Sequence, residues 1–533
     1  MSQTAARYFS RKATGLVREA GPRDTLVYNL FFGNPWLALV YVFLFAVPAL
    51  PGANLIWSTF MCLALVIPFL LVYAFLSAAI PRSGGEYTYI SRILHPVIAV
   101  MANLNITFFG IIFVGIAGGW FARWGVAQFV RILAVNTNNL GLLGFASWLD
   151  SQWGQFIAGT LLIIFFTSVF IRGMDTYLNV QRVAFTFGAI GLVVGAIVLL
   201  FSDHASFISG FNHYASVLTG KPDTVSQITS GAAKAGYSPA PSNFADSFRA
   251  VDWIFLALGY CYASTYIGGE IKRPARSQLI GMLGAAAVIT VVMVTYFLLI
   301  AHVVGMDFMG ALGTVKPGAV GLPDTPTFVE LIAAISTNPL VWAVIGFCFI
   351  FWTFTTLPVN ILTATRNLLA WSLDGLAPKR LADVSDRFHS PVISLIFVGA
   401  LGIFWLWVYI FTTYTSVILL IFANVLTYLT TAVAAALLPY RQPELFEASP
   451  VNWRWSGIPV VTIVGVLATI TMATMLVIIF YDPTQGFSFS SPNNLIFNLV
   501  VFFGGAVYFY VAYLIRKAQG VDLNLAFREI PVE

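Results

Sequence analysis

The sequence predicts an all-α polytopic membrane protein with about 12 transmembrane helices, organised as two inverted halves. Three observations lead to this fold class: the composition, the recurrence of long apolar segments, and two interrupted segments at matching positions. Of the 533 residues, 59% are hydrophobic and only 9% are charged. Soluble domains carry about 25% charged residues, so most of this chain is expected to lie in lipid.

Long apolar segments define the predicted spans. A helix needs about 20 apolar residues to cross the hydrocarbon core, and such runs recur along the whole chain. Some neighbouring runs almost meet, so eleven or thirteen spans would also fit, but twelve agrees best with the charges. The predicted spans are residues 27–50, 55–79, 97–122, 155–171, 176–201, 250–268, 278–304, 339–371, 391–411, 414–438, 458–480 and 494–515.

Positive charges are unequally divided between the two sets of loops. If the N-terminus is inside, the inner segments hold 21 of the 27 Lys and Arg residues, whereas the outer loops hold only Lys221, Lys234, Arg249 and Lys316. Cytoplasmic loops of membrane proteins carry such an excess, so both termini are predicted to be cytoplasmic. The net charge of +5 therefore reflects topology, and no nucleic-acid partner is expected.

Cysteine and histidine usage argues against a cofactor or an enzyme. Cys62, Cys261 and Cys348 all fall within predicted spans, so neither a disulfide framework nor a metal motif is expected. Residues 1–24 lack the apolar core of a cleavable signal peptide. The five His residues form no metal cluster, and no Ser-His-Asp or phosphate-loop pattern is present. The chain is therefore not expected to be an enzyme, to use a cofactor, or to pump with ATP.

Two interrupted helices divide the chain into halves. The first break is at 31–36, Phe-Phe-Gly-Asn-Pro-Trp, and the second surrounds Gly259. Each opens a set of five spans, and because five is odd the second set crosses in the opposite sense. A single Gly-Asn-Pro would be read as a kink, but matching breaks in inverted halves mark the binding sites of secondary transporters. The predicted organisation is an N-terminal cytoplasmic segment 1–24, a first repeat 25–201, an extracellular loop 202–249, a second repeat 250–438, two further helices 439–515 and a cytoplasmic tail 516–533.

Three inner-loop motifs resemble those of one transporter family. The chain reads Pro-Arg-Ser-Gly-Gly-Glu-Tyr at 81–87, Glu-Ile-Lys-Arg-Pro-Ala-Arg at 270–276, and an Arg-to-Asp-Gly-Leu-Ala-Pro pattern at 366–378. In this order they resemble the amino acid–polyamine–organocation (APC) permeases, over roughly residues 20–440. The resemblance implies a leucine-transporter-like five-plus-five inverted repeat with two C-terminal helices. It also implies secondary active transport of an amino acid or related small organic amine by alternating access, in the plasma membrane.

The resemblance places the substrate between the two breaks. In the family, the unwound first helix donates N–H groups to a carboxylate and the sixth helix holds the amine. Here Pro35 has no N–H to donate and Trp36 is large, so either Asn34 compensates or the substrate lacks a carboxylate. The tyrosines of the second break offer ring faces to an amine, although they could simply fill the bundle. The candidate substrate-binding residues are Gly33, Asn34, Pro35, Trp36, Gly259, Tyr260, Cys261, Tyr262 and Ala263.

The coupling ion is left open between Na⁺, H⁺ and none. Thr355 and Thr356 carry hydroxyls that could join Gly188 in a sodium site, but threonines in helices often bond to their own backbone. Proton-coupled relatives place a Lys in the fifth helix, and this span has none. No buried acid or His relay is evident from the sequence either.

Charged residues of the inner loops are candidates for a cytoplasmic gate, namely Glu86, Glu270 and Arg366. Either glutamate could pair with a nearby arginine in the inward-closed state. The alternative is ordinary exposed salt bridging, worth about 0–1 kcal/mol. The apolar stretch 328–335 could lie across the outer mouth as a short helix.

Two function classes other than transport predict different sequence features. A transporter-like nutrient sensor would bind without translocating, and would be expected to carry a large cytoplasmic segment. A channel would be expected to show a ring of pore-lining charge. The partners expected are therefore a small-molecule substrate, the lipid bilayer and, for coupling, Na⁺ or H⁺. A polyamine or amine exchanger that does not recognise a carboxylate is the closest alternative.

Overall fold

The computed structural model describes residues 15–412, 421–482, 484 and 492–527, and in these ranges it is almost entirely helical. Eleven of the described helices are long and apolar enough to cross a membrane, which confirms the predicted all-α membrane class. They are Pro22–Ala49, Leu55–Ala79, Pro96–Asn136, Gln152–Ile171, Met174–Leu200, Pro274–Val303, Pro339–Leu373, Val392–Phe411, Ile421–Arg441, Val460–Tyr481 and Pro492–Ala518.

The span predicted at 250–268 is broken, which is why it is missing from these eleven. Only Val251–Leu258 is α-helical, and short 3-10 helices follow at Ala263–Thr265 and Gly268–Glu270. This broken segment corresponds to the sixth of the twelve predicted spans. Parts of the predicted span 414–438 and of the two predicted terminal segments lie outside the described residues. The division of the chain into inverted repeats stays a prediction.

Shorter elements cover both ends of the bundle. The end near Ala20 and Arg516 is here called the terminal side, and the other end the opposite side. The terminal side carries Glu86–Ile93, Lys379–Ala382, Pro443–Ala448, Leu523–Ala526 and a hairpin of strands Arg454–Trp455 and Ile458–Pro459. The opposite side carries Gly141–Asp150, His204–Thr219, Thr224–Lys234, Phe244–Arg249, Met306–Thr314, Pro317–Val320 and Phe328–Ile335, the last of these as predicted.

Several spans are locally irregular. The first span divides into the helices Pro22–Gly33 and Pro35–Tyr41, a π-helical turn Val42–Ala46 and a last turn Val47–Ala49. The third span divides into Pro96–Trp120, a π-helical turn Phe121–Ala127 and Gln128–Asn136. The eighth span divides into Pro339–Thr353 and Thr356–Leu373. Short π segments of this kind are frequent at functional sites. All of these irregularities fall in spans that surround the centre of the bundle.

The first span breaks at Asn34, whose φ of 38° is left-handed. Pro35 follows, and a proline both lacks the N–H that a helix needs and clashes with the carbonyl four residues earlier. That carbonyl belongs to Phe31, and it accepts a hydrogen bond from Thr355 Oγ1 at 3.2 Å instead. The Asn34 side chain caps the next helix by accepting from the Leu37 N–H at 3.1 Å.

The second break is held by side chains of neighbouring helices. Asn29 of the first span accepts from the Ser264 N–H at 2.8 Å and donates to its hydroxyl at 3.0 Å. Gln278 donates to the Ser264 carbonyl at 3.0 Å. The buried backbone of the broken segment is thereby satisfied, as membrane-depth backbone must be. These contacts hold the two breaks side by side.

The surface of the bundle is apolar, whereas its interior is partly polar. Large hydrophobic side chains such as Leu161, Val291 and Val507 are more than 60% exposed. Asn29, Asn103 and Asn424, by contrast, are fully buried. Extended exposed apolar surface marks contact with a membrane. The arrangement therefore fits a bundle with lipid outside and a polar centre.

Candidate functional site

A cavity of about 260 Å³ lies beside the two breaks. It is formed by the first, third, broken sixth and eighth spans, with additions from the tenth span and from the segment after the Val460–Tyr481 helix. None of the described residues that line it is charged. The lining residues are Phe32, Leu37, Ala38, Tyr41, Phe45, Phe109, Phe113, Trp120, Trp253, Leu256, Tyr260, Thr356, Asn360, Ile421 and Thr484.

Aromatic rings form most of the cavity wall around Tyr260. The Phe32 ring meets the Tyr260 ring edge-on at 5.1 Å, and the Phe109 ring stacks on it at 5.8 Å. Phe113 packs against Phe109 at 4.3 Å. Such rings can hold an apolar group by contact, or an ammonium group by the negative charge of the ring face.

Polar atoms of the cavity wall include those of Tyr260, Thr356 and Asn360. The Tyr260 hydroxyl accepts from Asn424 Nδ2 at 3.0 Å, which leaves its own proton available. Thr356 Oγ1 and Asn360 Oδ1 have no hydrogen-bond partner within the described part of the chain. Buried polar atoms normally have partners, so a ligand that donates hydrogen bonds would complete this wall.

The predicted substrate-binding residues divide into two groups. Tyr260 lines the cavity; Gly33, Asn34, Pro35, Trp36, Gly259, Cys261, Tyr262 and Ala263 do not. Gly33 instead permits close approach of the two broken helices, because a Cβ there would lie 2.8 Å from the Ala257 carbonyl oxygen. Trp36 is buried against Trp124. Their roles in binding stay predictions.

The residues that sequence reasoning missed lie mainly on the third and eighth spans. Phe109 and Phe113 are four residues apart and therefore share a helix face, and Trp120 lies further along the same span. Asn360 is an amide in an otherwise apolar stretch. The signals were present as an aromatic stripe and an isolated polar residue, but both patterns are more often part of a core than of a site.

Beyond Tyr260, a cluster of tyrosines leads toward the terminal side. Tyr262 and Tyr428 share a hydrogen bond of 2.8 Å between their hydroxyls, and the Tyr266 hydroxyl donates to that of Tyr262 at 3.3 Å. Tyr73 packs its ring 4.7 Å from the Tyr262 ring. All four side chains are fully buried. Tyr262 therefore lies in a hydroxyl network and not in the cavity wall.

The three residues proposed for an ion site have different hydrogen-bond environments. The Gly188 carbonyl accepts a hydrogen bond from Trp352 Nε1 at 2.9 Å. Thr355 Oγ1 is bonded to the carbonyls of Phe31 and Trp352, and Thr356 lies in the cavity wall. The Gly188 oxygen thus accepts from an N–H donor, the Thr355 hydroxyl is itself a donor, and Thr356 faces the cavity. The ion site stays a prediction.

Two ion pairs lie between the cavity and the terminal side. Arg366 makes a bidentate pair with Glu270, with N–O distances of 2.7 and 2.8 Å. Arg92 makes a second bidentate pair with Asp374, at 2.7 and 2.8 Å. All four side chains are at most 4% exposed. Asp374, which the sequence analysis did not single out, follows Arg366 by two helical turns, so one helix carries a member of each pair.

Glu86 is not paired with an arginine in the part of the chain that the structure describes. Its Oε1 accepts from Asn103 Nδ2 at 2.7 Å, and the residue is fully buried. The structure therefore assembles two of the three candidate gate residues, Glu270 and Arg366, and places the third in a different environment.

The cavity extends toward the opposite side. Phe45, Trp253 and Thr484, which line it, belong to the opposite-side ends of their elements. On that side Arg249 pairs with Asp482 at 2.8 Å, and Trp253 donates to Thr484 at 3.1 Å. The opposite side also carries a buried ion pair, Arg131–Glu330 at 3.0 Å, so buried pairs lie on both sides of the bundle.

Comparison with known protein families agrees with this architecture. A sequence model of a family described as amino acid permease matches residues 26–506, which includes both breaks, the cavity residues and both ion pairs. This match covers most of the chain and confirms the resemblance drawn from the loop motifs. The chain therefore belongs to the amino acid permeases of the APC superfamily, a family of transporters of amino acids or related compounds.

Proposed function

We propose that the protein is a secondary transporter that moves an amino acid or related small organic amine by alternating access, and that the aromatic cavity is its substrate site. The observation that carries the proposal is the position of the cavity. It lies beside two broken helices, and the buried pairs Glu270–Arg366 and Arg92–Asp374 lie between it and the terminal side. In transporters of this architecture, substrate binds at such breaks and access alternates around it.

The cavity wall suits an ammonium group attached to an apolar body. The Tyr260 ring face would attract a cation by about 0.5–2 kcal/mol, the larger value applying when water is excluded. Thr356 Oγ1 and Asn360 Oδ1 would accept hydrogen bonds from the same group. The phenylalanines and tryptophans of the wall would cover the apolar part.

The site offers few groups that could bind a carboxylate. Pro35 has no N–H, and the Asn34 side chain is already used: its Oδ1 accepts from Leu37, and its Nδ2 donates to the Trp352 carbonyl at 2.9 Å. None of the cavity residues given above is cationic. We infer that amines without a carboxylate bind at least as tightly as the corresponding amino acids.

We further propose that the terminal side faces the cytoplasm of a cell whose plasma membrane holds the protein. The excess of Lys and Arg in the segments of that side supports this orientation. The pairs Glu270–Arg366 and Arg92–Asp374 would then form the cytoplasmic gate. A gate of this kind is stable while closed but can open, because each pair consists of two side chains from different elements.

Uptake by purified protein in liposomes tests the proposal. Labelled apolar amino acids and their decarboxylated amines would be offered in parallel, first in exchange for unlabelled substrate and then under imposed Na⁺ and proton gradients. Tyr260→Phe keeps the ring and should retain most uptake, whereas Tyr260→Ala should lower apparent affinity about tenfold or more. If ligands stabilise the protein but none is exchanged, the nutrient-sensor alternative replaces the transporter.

A further inference from the structure

Glu86 is a buried carboxylate with an unusual set of contacts. It is the first residue of the Glu86–Ile93 helix and is fully buried. Oε1 accepts a hydrogen bond from Asn103, whose own Oδ1 accepts from Trp371 Nε1 at 2.8 Å, so that the orientation of the amide is fixed. Oε2 has no hydrogen-bond partner in the described ranges. A charge held in this way is costly.

The charged groups around Glu86 are committed elsewhere. On its own helix, Arg92 pairs with Asp374, and on the eighth span Arg366 pairs with Glu270. The groups that face it from the other packed elements are neutral hydroxyls and amides. These are Asn103 of the third span, Tyr73 of the second span, and Tyr262 and Tyr266 of the broken span. Ser77 of the second span, Tyr89 of the Glu86 helix and Thr265 of the broken span are hydrogen-bonded to one another.

This environment favours the protonated carboxyl. Burial raises the pKa of Glu86 to about 7, and the Asn103 amide and the Tyr266 hydroxyl oppose that rise. Without a cation to compensate burial, the charged form is disfavoured. Glu86 can therefore change protonation near neutral pH.

A chain of hydroxyls leads from the region of Glu86 to the cavity. It begins at Tyr266, which lies against Gly85: a Cβ on Gly85 would meet the Tyr266 ring at 2.7 Å. The Tyr266 hydroxyl donates to Tyr262, which is hydrogen-bonded to Tyr428. Tyr428 lies one helical turn after Asn424, which donates to the Tyr260 hydroxyl in the cavity wall at 3.0 Å. Rows of protonatable side chains can relay protons within a membrane.

We propose that the Glu86 carboxyl is the proton-binding site that couples substrate transport to the proton gradient, and that the Tyr266–Tyr262–Tyr428 hydroxyls connect it to the cavity. The proposal rests on the transport function proposed above and names its coupling ion. It also agrees with the engagement of the Gly188 carbonyl by Trp352 Nε1 and of the Phe31 and Trp352 carbonyls by the Thr355 hydroxyl.

The proposed cycle moves one proton with the substrate. While the terminal side is closed, a proton enters from the cavity, each hydroxyl accepting one proton and passing on another. The Tyr266 hydroxyl, which donates to Tyr262 in this structure, turns toward Glu86 Oε2 and gives it the last proton. When the Arg92–Asp374 and Arg366–Glu270 pairs separate, the Glu86 helix moves with Arg92 and water reaches the carboxyl. The proton then leaves to the terminal side, and Glu86 is again charged.

Glu86→Gln in liposomes provides the principal test. Glutamine can keep the contact with Asn103 but cannot bind and release a proton at neutral pH. We expect exchange of labelled for unlabelled substrate to stay within about threefold of wild type. Accumulation driven by an inside-alkaline gradient should fall at least tenfold. Glu444→Gln, an exposed carboxyl on the same side, is the matched control and should change neither.

Substrate affinity at different pH values gives a second measurement in detergent. Glu86 is protonated below its pKa, so wild-type affinity should weaken from pH 6 to pH 8, by up to tenfold per unit above pH 7. Affinity of Glu86→Gln should not vary with pH. If this variant does not fold, Tyr262→Phe, which interrupts the hydroxyl chain, should slow gradient-driven uptake without weakening binding.

The outcomes separate the coupling proposal from the transport proposal. Exchange by wild type together with unchanged gradient-driven accumulation by Glu86→Gln would overturn coupling through Glu86 and leave the transport function standing. A wild-type affinity that is flat between pH 6 and pH 8 would also overturn it. Failure of wild type to exchange any substrate would overturn the transport function itself.

Discussion

At the scale of single residues, a hydrogen-bond donor occupies one of the oxygens that the sequence suggested for an ion, the Gly188 carbonyl. Trp352 Nε1 lies 2.9 Å from the Gly188 carbonyl oxygen, and Gly188 leaves room for the indole, since a Cβ there would lie 2.8 Å from Nε1. This bond ties the fifth span to the eighth. It satisfies the Gly188 carbonyl without an ion.

Trp352→Phe should therefore reduce stability more than it reduces substrate affinity. The variant keeps an aromatic ring but removes the N–H, and an unsatisfied buried acceptor costs about 1–3 kcal/mol. The unfolding midpoint in detergent should fall, while the substrate Kd should change less than about twofold, because Trp352 does not line the cavity. Trp342→Phe, in the same helix, is the control, and equal destabilisation by both variants would contradict the assigned role of the Gly188 bond.

At the scale of elements, the break in the first span depends on Asn34 and Pro35 together. Pro35 ends the regular hydrogen bonding, and Asn34 adopts the left-handed backbone that asparagine tolerates better than most residues. Its side chain then bonds to both the following helix and the eighth span. The local sequence thus produces the break, and the hydrogen bond to the Trp352 carbonyl, which is distant in sequence, stabilises it.

Substitutions of Asn34 should separate these contributions. Asn34→Gly keeps the permitted backbone but loses two hydrogen bonds, each worth about 0.5–1.5 kcal/mol. Asn34→Ala loses the same bonds and adds about 1–2 kcal/mol of left-handed strain. Chemical denaturation in detergent should rank stability as wild type, then the glycine variant, then the alanine variant. An alanine variant as stable as the glycine variant would show that the backbone at this break is not strained.

More of the helical elements than of the candidate site could be predicted from the sequence. Both breaks were evident because proline and glycine act locally, and the Glu270–Arg366 pair was among the contacts expected from the loop motifs. The cavity wall was not, since which face of the third span carries Phe109 inward depends on how that helix is rotated. Glu86 was assigned an arginine partner because its neighbours in sequence are basic, whereas folding brings it to Asn103.

At the scale of the whole molecule, two buried ion pairs join separate elements near the terminal side. Arg366 and Asp374 lie on one helix, and their partners Glu270 and Arg92 lie on the broken span and the Glu86–Ile93 helix. Moving one helix would therefore disturb both pairs. Loss of one partner of a buried pair leaves the other charge uncompensated, at a cost of about 3–5 kcal/mol.

Glu270→Gln should consequently shift the population toward forms open on the terminal side. Ala370 lies one helical turn from both Arg366 and Asp374 and is only 2% exposed, so Ala370→Cys reports opening through its alkylation rate. The reporter requires a chain in which Cys62, Cys261 and Cys348 are replaced by alanine. A shift of even 1.4 kcal/mol corresponds to a tenfold change in an equilibrium, so the alkylation rate should rise at least tenfold.

Two further variants decide whether the charge of the pair causes this change. The exchange Glu270→Arg with Arg366→Glu restores opposite charges and should bring the alkylation rate back toward that of wild type. Glu447→Gln removes a carboxylate that pairs with Arg454 at the exposed surface, and it should change the rate little, because exposed pairs contribute about 0–1 kcal/mol. If Glu270→Gln leaves Ala370→Cys as protected as before, the pair supports the fold without gating it, and closure of the terminal side must come from the packing of the helices alone.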